Sequence, residues 1–164
     1  MVYGDTFLSF VLRRQIGQFI YDGDNQGLFL TADEVALLAK EGHVTDGRTG
    51  GLVIGKFHQE GGIHMLQPSG EKFKWAGEME GYEYLVNEFA TRKHMDRLSA
   101  LNTQTKTDHT IPPRPFSVPD NIKIIDARRT GIEILLISWN GHFILNRAAS
   151  EMNLDLLDSI NSEV

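Results

Sequence analysis

The chain has 164 residues, 41% of them apolar and 23% charged, with a formal net charge of −6 at pH 7 and no cysteine. These values describe a globular protein of one domain or two very small ones. They exclude disulfides, thiolate zinc sites and cysteine nucleophiles, and they disfavour non-specific nucleic-acid binding, which needs Lys and Arg to neutralise phosphates.

Residues 5–21 predict an amphipathic helix, with Phe7, Phe10 and Phe19 as candidate interface residues. Docking on a core or a neighbouring subunit is the expected role. An in-plane membrane helix is the alternative, disfavoured because two arginines and one aspartate are few charges for it. The charges follow the apolar stretch without a small-residue cleavage pattern, unlike a secretory signal. Nowhere does an apolar run reach the ~18 residues of a spanning helix. "DGDNQG" at 22–27 reads as a turn; it resembles part of a calcium loop, but Asp33 stands where the closing glutamate belongs.

"LFLTADEVALLAKEG" predicts a strand and a helix, with Thr31 as N-cap, Glu34 in capping-box position and Gly42 as the stop. Residues 43–50 read as a loop. "GLVIG" and "GIHML" are buried-strand patterns, and "KFKWAGEMEGYEYLV" reads as a hairpin turning near Gly77 or Gly81. A helix is expected over Glu88–Leu101. Residues 103–119 hold four of the five prolines and predict an extended linker packed along a surface, with capture by an aromatic groove as the alternative. "IKIIDAR" and "IEILLISW" are strand-like, and Asn140-Gly141 signals a hairpin whose return strand is "HFIL".

"YLVNEFATRKHMDRLSALN" (84–102) and "FILNRAASEMNLDLLDSIN" (143–161) align without a gap at a constant offset of 59. Asn87 and Asn146 fall where a helix N-cap is needed. Ala90 and Ala149 are small residues of the first turn, with Thr91 and Ser150 beside them. Met95/Leu154, Leu98/Leu157 and Leu101/Ile160 form one apolar stripe. Asn102 and Asn161 close each helix, where a left-handed residue is useful. A strand–Asn–helix module used twice explains every matched position.

The pattern G-E-[FY]-x-x-N-x-x-A-[TS] followed by L-L-x-x-[IL]-N resembles one found in phage and prophage virion proteins, especially the C-terminal regions of tail tape-measure proteins. His142 stands in the second copy where that family usually has Glu. Upstream, Gly55, His58, Gly61, Gly62, Ile63, Glu78, Glu80, Gly81 and Glu83 resemble a longer phage-associated arrangement, G-x-x-H-x-x-G-G-I followed by E-x-E-G-x-E. The resemblance covers about residues 51–102 and again 141–161. It implies a small, non-enzymatic virion structural protein without cofactor, partnered by other virion proteins and by copies of itself. The chain lacks the long helical array that would measure a tail.

Other chemistry is sparse. His58 and His64 would meet a metal with Glu60 only if the segment turns at Gly61-Gly62, and a metal- or carboxylate-dependent hydrolase centred on these three residues is the enzymatic alternative. The plainer expectation has His58 holding the glycine turn by bonds to backbone. Glu78, Glu80 and Glu83 read as a solvated strand face, with 78 and 80 on one side and 83 on the other. Trp75 and Trp139 suit core or interface. The expected class is α+β, with small antiparallel sheets each covered by a helix. The expected organisation is an N-terminal segment (1–50), a first module (51–102), the linker (103–119) and a second module (120–164).

Overall fold

A computed structural model describes residues 29–128, 133–136 and 141–163. The helix expected over 5–21 with Phe7, Phe10 and Phe19, the turn after it, Trp139 and Asn140 lie outside the described residues. In chain order the elements are β1 (Phe29–Thr31), α1 (Ala32–Lys40), β2 (Val44–Asp46), β3 (Gly51–Ile54), a 3-10 turn (His58–Glu60), β4 (Ile63–Ser69), β5 (Lys72–Met79) and β6 (Tyr84–Val86). Then follow α2 (Glu88–Gln104), β7 (Ile124–Asp126), β8 (Glu133–Leu136), β9 (Phe143–Leu145), α3 (Arg147–Met152) and α4 (Leu154–Asn161).

The class is α+β. One sheet has the order β1-β5-β4-β8-β2 and the other β7-β3-β6-β9. The four-stranded sheet lies in the middle. Alternate residues of its strands point to opposite faces. Leu52, Ile54, Tyr84, Val86 and Leu145 pack with Ala90, Leu98, Leu157 and Ile160 of the helices. Val53, Leu85 and Ile125 turn the other way, onto Ile63 and Met65 of β4 and Met79 of β5. Strands covered on both faces read as unbroken apolar runs, which is why "GLVI" shows no alternation.

α1 begins as its sequence predicts: the Glu34 N–H donates to Thr31 Oγ1, and the Thr31 N–H donates to Glu34 Oε1. Gly42 ends it with φ of 83°.

The two strand–Asn–helix copies share one sheet, because β6 and β9 are neighbouring antiparallel strands. Leu85 pairs with Ile144, its own equivalent at the offset of 59. Tyr84 pairs with Leu145 and Val86 with Phe143, and each pair maps onto the other when the copies are exchanged. A pseudo-two-fold axis therefore passes between Leu85 and Ile144. It relates the helices as well. α2 is interrupted at His94 (φ −121°, ψ 23°), and α3 gives way to α4 at the matched Asn153 (φ −130°, ψ 24°).

Several expectations are corrected. Residues 43–50 are not all loop, since β2 pairs in parallel with β8. Gly77 is not a turn. It sits inside β5 with φ of 129°, opposite Met65, where a bulge leaves Ala76 as the extra residue. The hairpin is instead β4–β5, closed by Gly70-Glu71 with Gly70 at φ 63°. The chain does turn at Gly81, but β5 and β6 belong to different sheets. "HFIL" is not the return strand of a hairpin with β8: β8 lies between β4 and β2, parallel to both, and β9 pairs with β6. The sheets are thus mixed rather than antiparallel. α2 runs three residues past Leu101, and Met95 of the proposed stripe is 45% exposed.

Candidate functional site

The shared-pattern residues converge on two places, both built by the four-stranded sheet and the segments leaving it. The first is a pair of reciprocal clamps about the pseudo-two-fold axis. Asn87 Oδ1 accepts from the Ala90 N–H at 2.8 Å, and Asn146 Oδ1 accepts from the Ala149 N–H at 2.9 Å. Both are thus N-caps, with backbone angles within 2° of each other. Thr91 and Ser150 each donate a hydroxyl to the last strand carbonyl, of Val86 and of Leu145, both at 3.1 Å.

Asn102 and Asn161 are not left-handed caps; among the described residues Tyr82 alone is a non-glycine at positive φ. Each instead holds the other copy's N-cap. Asn161 Oδ1 accepts from the Asn87 N–H and Nδ2, and the Asn161 carbonyl accepts from Asn87 Nδ2, at 2.7–2.9 Å. Asn102 does the same for Asn146, at 2.8–2.9 Å. An asparagine amide carries two donors and an acceptor, so one side chain starts its own helix and locks to the end of the other. Gly50 is required beside this clamp: a Cβ there would lie 2.3 Å from Asn161 Oδ1.

The second place gathers the upstream pattern. The 3-10 turn sets His58 against β5 and the turn after it. His58 Nδ1 lies 2.7 Å from Glu78 Oε1, and Nε2 lies 3.5 Å from Glu80 Oε2. Glu83 does not take the opposite face, because the chain reverses at Gly81-Tyr82 and brings it back. Its Oε1 accepts from the Glu80 N–H at 2.8 Å. Only Glu78 is exposed as a solvated face requires, since Glu80 is 3% exposed. Its charge is met by Arg147, the first residue of α3, with Nε 2.9 Å from Glu80 Oε1. This is an ion pair rather than an aligned hydrogen bond. The guanidinium also lies over the Phe57 ring, 5.3 Å from its centroid. Phe57 stacks on Tyr82, and Tyr82 meets Phe116 of the linker edge-on.

The glycine turn is closed by backbone, with the Gly61 and Gly62 N–H groups donating to the His58 and Phe57 carbonyls. The His58 imidazole is therefore not its support. Gly62 is needed because its φ of 66° is left-handed, and a Cβ there would also displace the Glu78 side chain. Gly81 is needed because a Cβ would lie 2.1 Å from the Gly55 carbonyl oxygen.

The trio His58, His64 and Glu60 is not assembled. Glu60 accepts from the Phe57 N–H at 3.1 Å. His64 Nδ1 accepts from Trp75 Nε1 at 3.3 Å, and burial holds the His64 pKa below its ordinary value despite the nearby Glu78 charge. This also places Trp75, half-buried against His64. Among the described residues the group with metal-ligand proximity is His58, Glu80 and Glu83, whose ligand atoms lie within 4.8 Å of one another. Arg147 already supplies a cation there, so the cluster is charge-compensated from within.

Burial pushes the Glu83 carboxyl up to about 7; the neighbouring Glu80 charge adds to this, while the Glu80 N–H bond and the charges of His58 and Arg147 oppose it. A carboxyl whose folded pKa lies above its unfolded value of about 4.3 binds its proton more tightly when folded. Its contribution is full below the unfolded value and is lost as pH rises through 7. Stability should fall between about pH 5 and 7.5, by on the order of 2 kcal/mol. Glu83→Gln, which keeps an acceptor for the Glu80 N–H, should flatten that slope in urea titrations across the range. An unchanged slope would place its origin elsewhere.

Sequence reasoning named Asn87, Ala90, Thr91, Asn146, Ala149, Ser150, His58, Gly61 and Gly62, and each has a place in these two clusters or beside them. It missed Arg147 as the partner of Glu80, and Asn102 and Asn161 as clamps. The repeat offset was the available signal for the latter: a polar residue duplicated at a helix end without the glycine context of a stop. No family model, curated protein or solved structure matches the chain.

Proposed function

We propose that this chain is a non-enzymatic structural component of a bacteriophage particle, assembled through contacts with other virion proteins and with copies of itself. One observation carries the reading: the residues shared with the virion pattern serve the architecture. Asn87 and Asn146 cap and clamp, Thr91 and Ser150 tie helix to strand, and Gly62 and Gly81 permit close approach. Glu80 neutralises Arg147 in a buried pair. A chain whose distinctive residues hold it rigid suits a scaffold.

The hydrolase alternative needed His58, His64 and Glu60 at one point, and their side chains are engaged separately. The membrane alternative rested on an in-plane helix over residues 5–21, which lie outside the described residues. Among the described residues no helix is long and apolar enough to cross a membrane.

Mass spectrometry of purified particles tests the assignment. The protein should be present at a fixed copy number relative to the major coat protein. Its absence from clean particles, with expression demonstrated in the infected cell, would overturn the reading.

A further inference from the structure

We propose that His58, Glu80 and Glu83 bind one divalent transition-metal cation of the zinc class, which pins together the two places where the chain crosses between its sheets. The inference goes beyond the scaffold reading and does not rest on it.

The topology puts each ligand in place. His58 lies on the crossing from β3 of the four-stranded sheet to β4 of the five-stranded one. Glu80 and Glu83 lie on the crossing back, from β5 to β6. Backbone holds the two crossings in contact, with the Gly81 N–H donating to the Lys56 carbonyl at 2.8 Å. The ligand atoms of the three side chains thus come within 4.8 Å of one another.

The spacing inside the group is that of a small shared ion. His58 Nδ1 is 2.7 Å from Glu78 Oε1, and an ionised carboxylate only accepts, so Nδ1 carries a proton. In the neutral ring Nε2 then presents its lone pair to Glu80 Oε2, at 3.5 Å. That separation is long for a charge-assisted hydrogen bond, which runs about 2.7–2.9 Å. It suits two ligands on one tetrahedral zinc, which at about 2.0–2.1 Å from each sets them about 3.3 Å apart. A water or an ammonium, about 2.8 Å from each partner, would hold them about 4.6 Å apart.

The surrounding bonds support the same assignment. Glu78 is the carboxylate behind a ligating histidine, fixing its tautomer and its ring plane. The Glu80 N–H holds Glu83 by donating to Oε1 at 2.8 Å, and a carboxylate has acceptor capacity beyond one bond. Glu80 is 3% exposed, yet Arg147 approaches its Oε1 without an aligned hydrogen bond and His58 faces its Oε2 at 3.5 Å. A buried carboxylate therefore has lone pairs left for an ion. Arg147 balances one carboxylate of three, and protons balance the rest; a divalent cation takes the place of those protons. The imidazole selects the class of ion. Calcium and magnesium take oxygen ligands, whereas imidazole with carboxylates suits zinc and its first-row neighbours.

The test uses the full chain, stripped of metal with a chelator and titrated with zinc against a chromophoric competitor. One equivalent should bind. Zinc at a hundredfold excess over Kd should raise the unfolding midpoint by about 5 °C or more, and calcium or magnesium at the same concentration should not. Glu83→Gln and His58→Gln should each weaken zinc at least about a hundredfold, and Glu78→Gln about tenfold. Nitrogen-15 imidazole spectra of the unsubstituted protein read the site without any variant. Zinc should shift the His58 Nε2 resonance and leave the exposed His109 unmoved. No bound zinc, binding that survives Glu83→Gln, an equal response to calcium, or a shift at His109 in place of His58 would each overturn the proposal. Zinc binding is read in isolation from particles, so absence from virions would remove the phage assignment and leave this site intact.

Discussion

Replacing Arg147 with Met should lower the unfolding free energy by about 3–5 kcal/mol, because it strands a buried carboxylate. Glu80 is 3% exposed, and Arg147 Nε is 2.9 Å from its Oε1. Methionine keeps much of the aliphatic length but loses the guanidinium's place over the Phe57 ring, a contact of about 1 kcal/mol, so most of the loss reports the stranded charge. Adding Glu80→Gln to the Met variant should recover a large part, since an amide costs less to bury than an unpaired charge. Urea unfolding of the unsubstituted protein and the two variants reads both effects. A loss below about 1 kcal/mol would mean that water reaches Glu80 and that the pair behaves as a surface bridge.

Gly81→Ala should cost about 3 kcal/mol or abolish folding, at the severe end of overpacking. The Cβ would lie 2.1 Å from the Gly55 oxygen and 2.8 Å from its carbonyl carbon. Both are backbone atoms, and the same turn is fixed by the Gly81 N–H donating to the Lys56 carbonyl and the Tyr82 N–H to the Val53 carbonyl. Nothing there can rotate aside. Gly61→Ala is the control: it has open space around it but φ of 111°, so it reports backbone strain alone, about 1 kcal/mol. Similar losses at the two positions would show that close approach is not what Gly81 provides.

Much of the local structure was legible because it depends on neighbours in sequence. Thr31 with Glu34, and Asn87 and Asn146 as N-caps, follow from side-chain oxygens three residues from a free N–H. The repeat was legible as a repeat. Its consequence was not, because the pairing of β6 with β9 and the exchange of Asn102 and Asn161 between copies are contacts over 44 to 74 residues. Asn140-Gly141 suggested a local hairpin, but the exposed edge of β6 offered β9 a symmetric partner, and tertiary pairing overrode the turn signal. Gly77 shows a related confusion, since a bulge and a turn demand the same residue. Glu78, Glu80 and Glu83 looked like alternating strand residues because their spacing carries no trace of the reversal at Tyr82. Arg147 lies in the second copy while its partner lies upstream of the first, and no sequence spacing links them.

The central claim is that the two copies are interlocked halves of one unit. Double-mutant cycles on the matched clamps, Asn87 with Asn161 and Asn146 with Asn102, each changed to Ala, test it most directly. Residues joined by three hydrogen bonds across the axis should show a coupling of about 1–2 kcal/mol in each cycle, and the two couplings should agree. Additive losses in both cycles would mean that each asparagine serves its own helix alone, and that the copies are neighbours rather than halves.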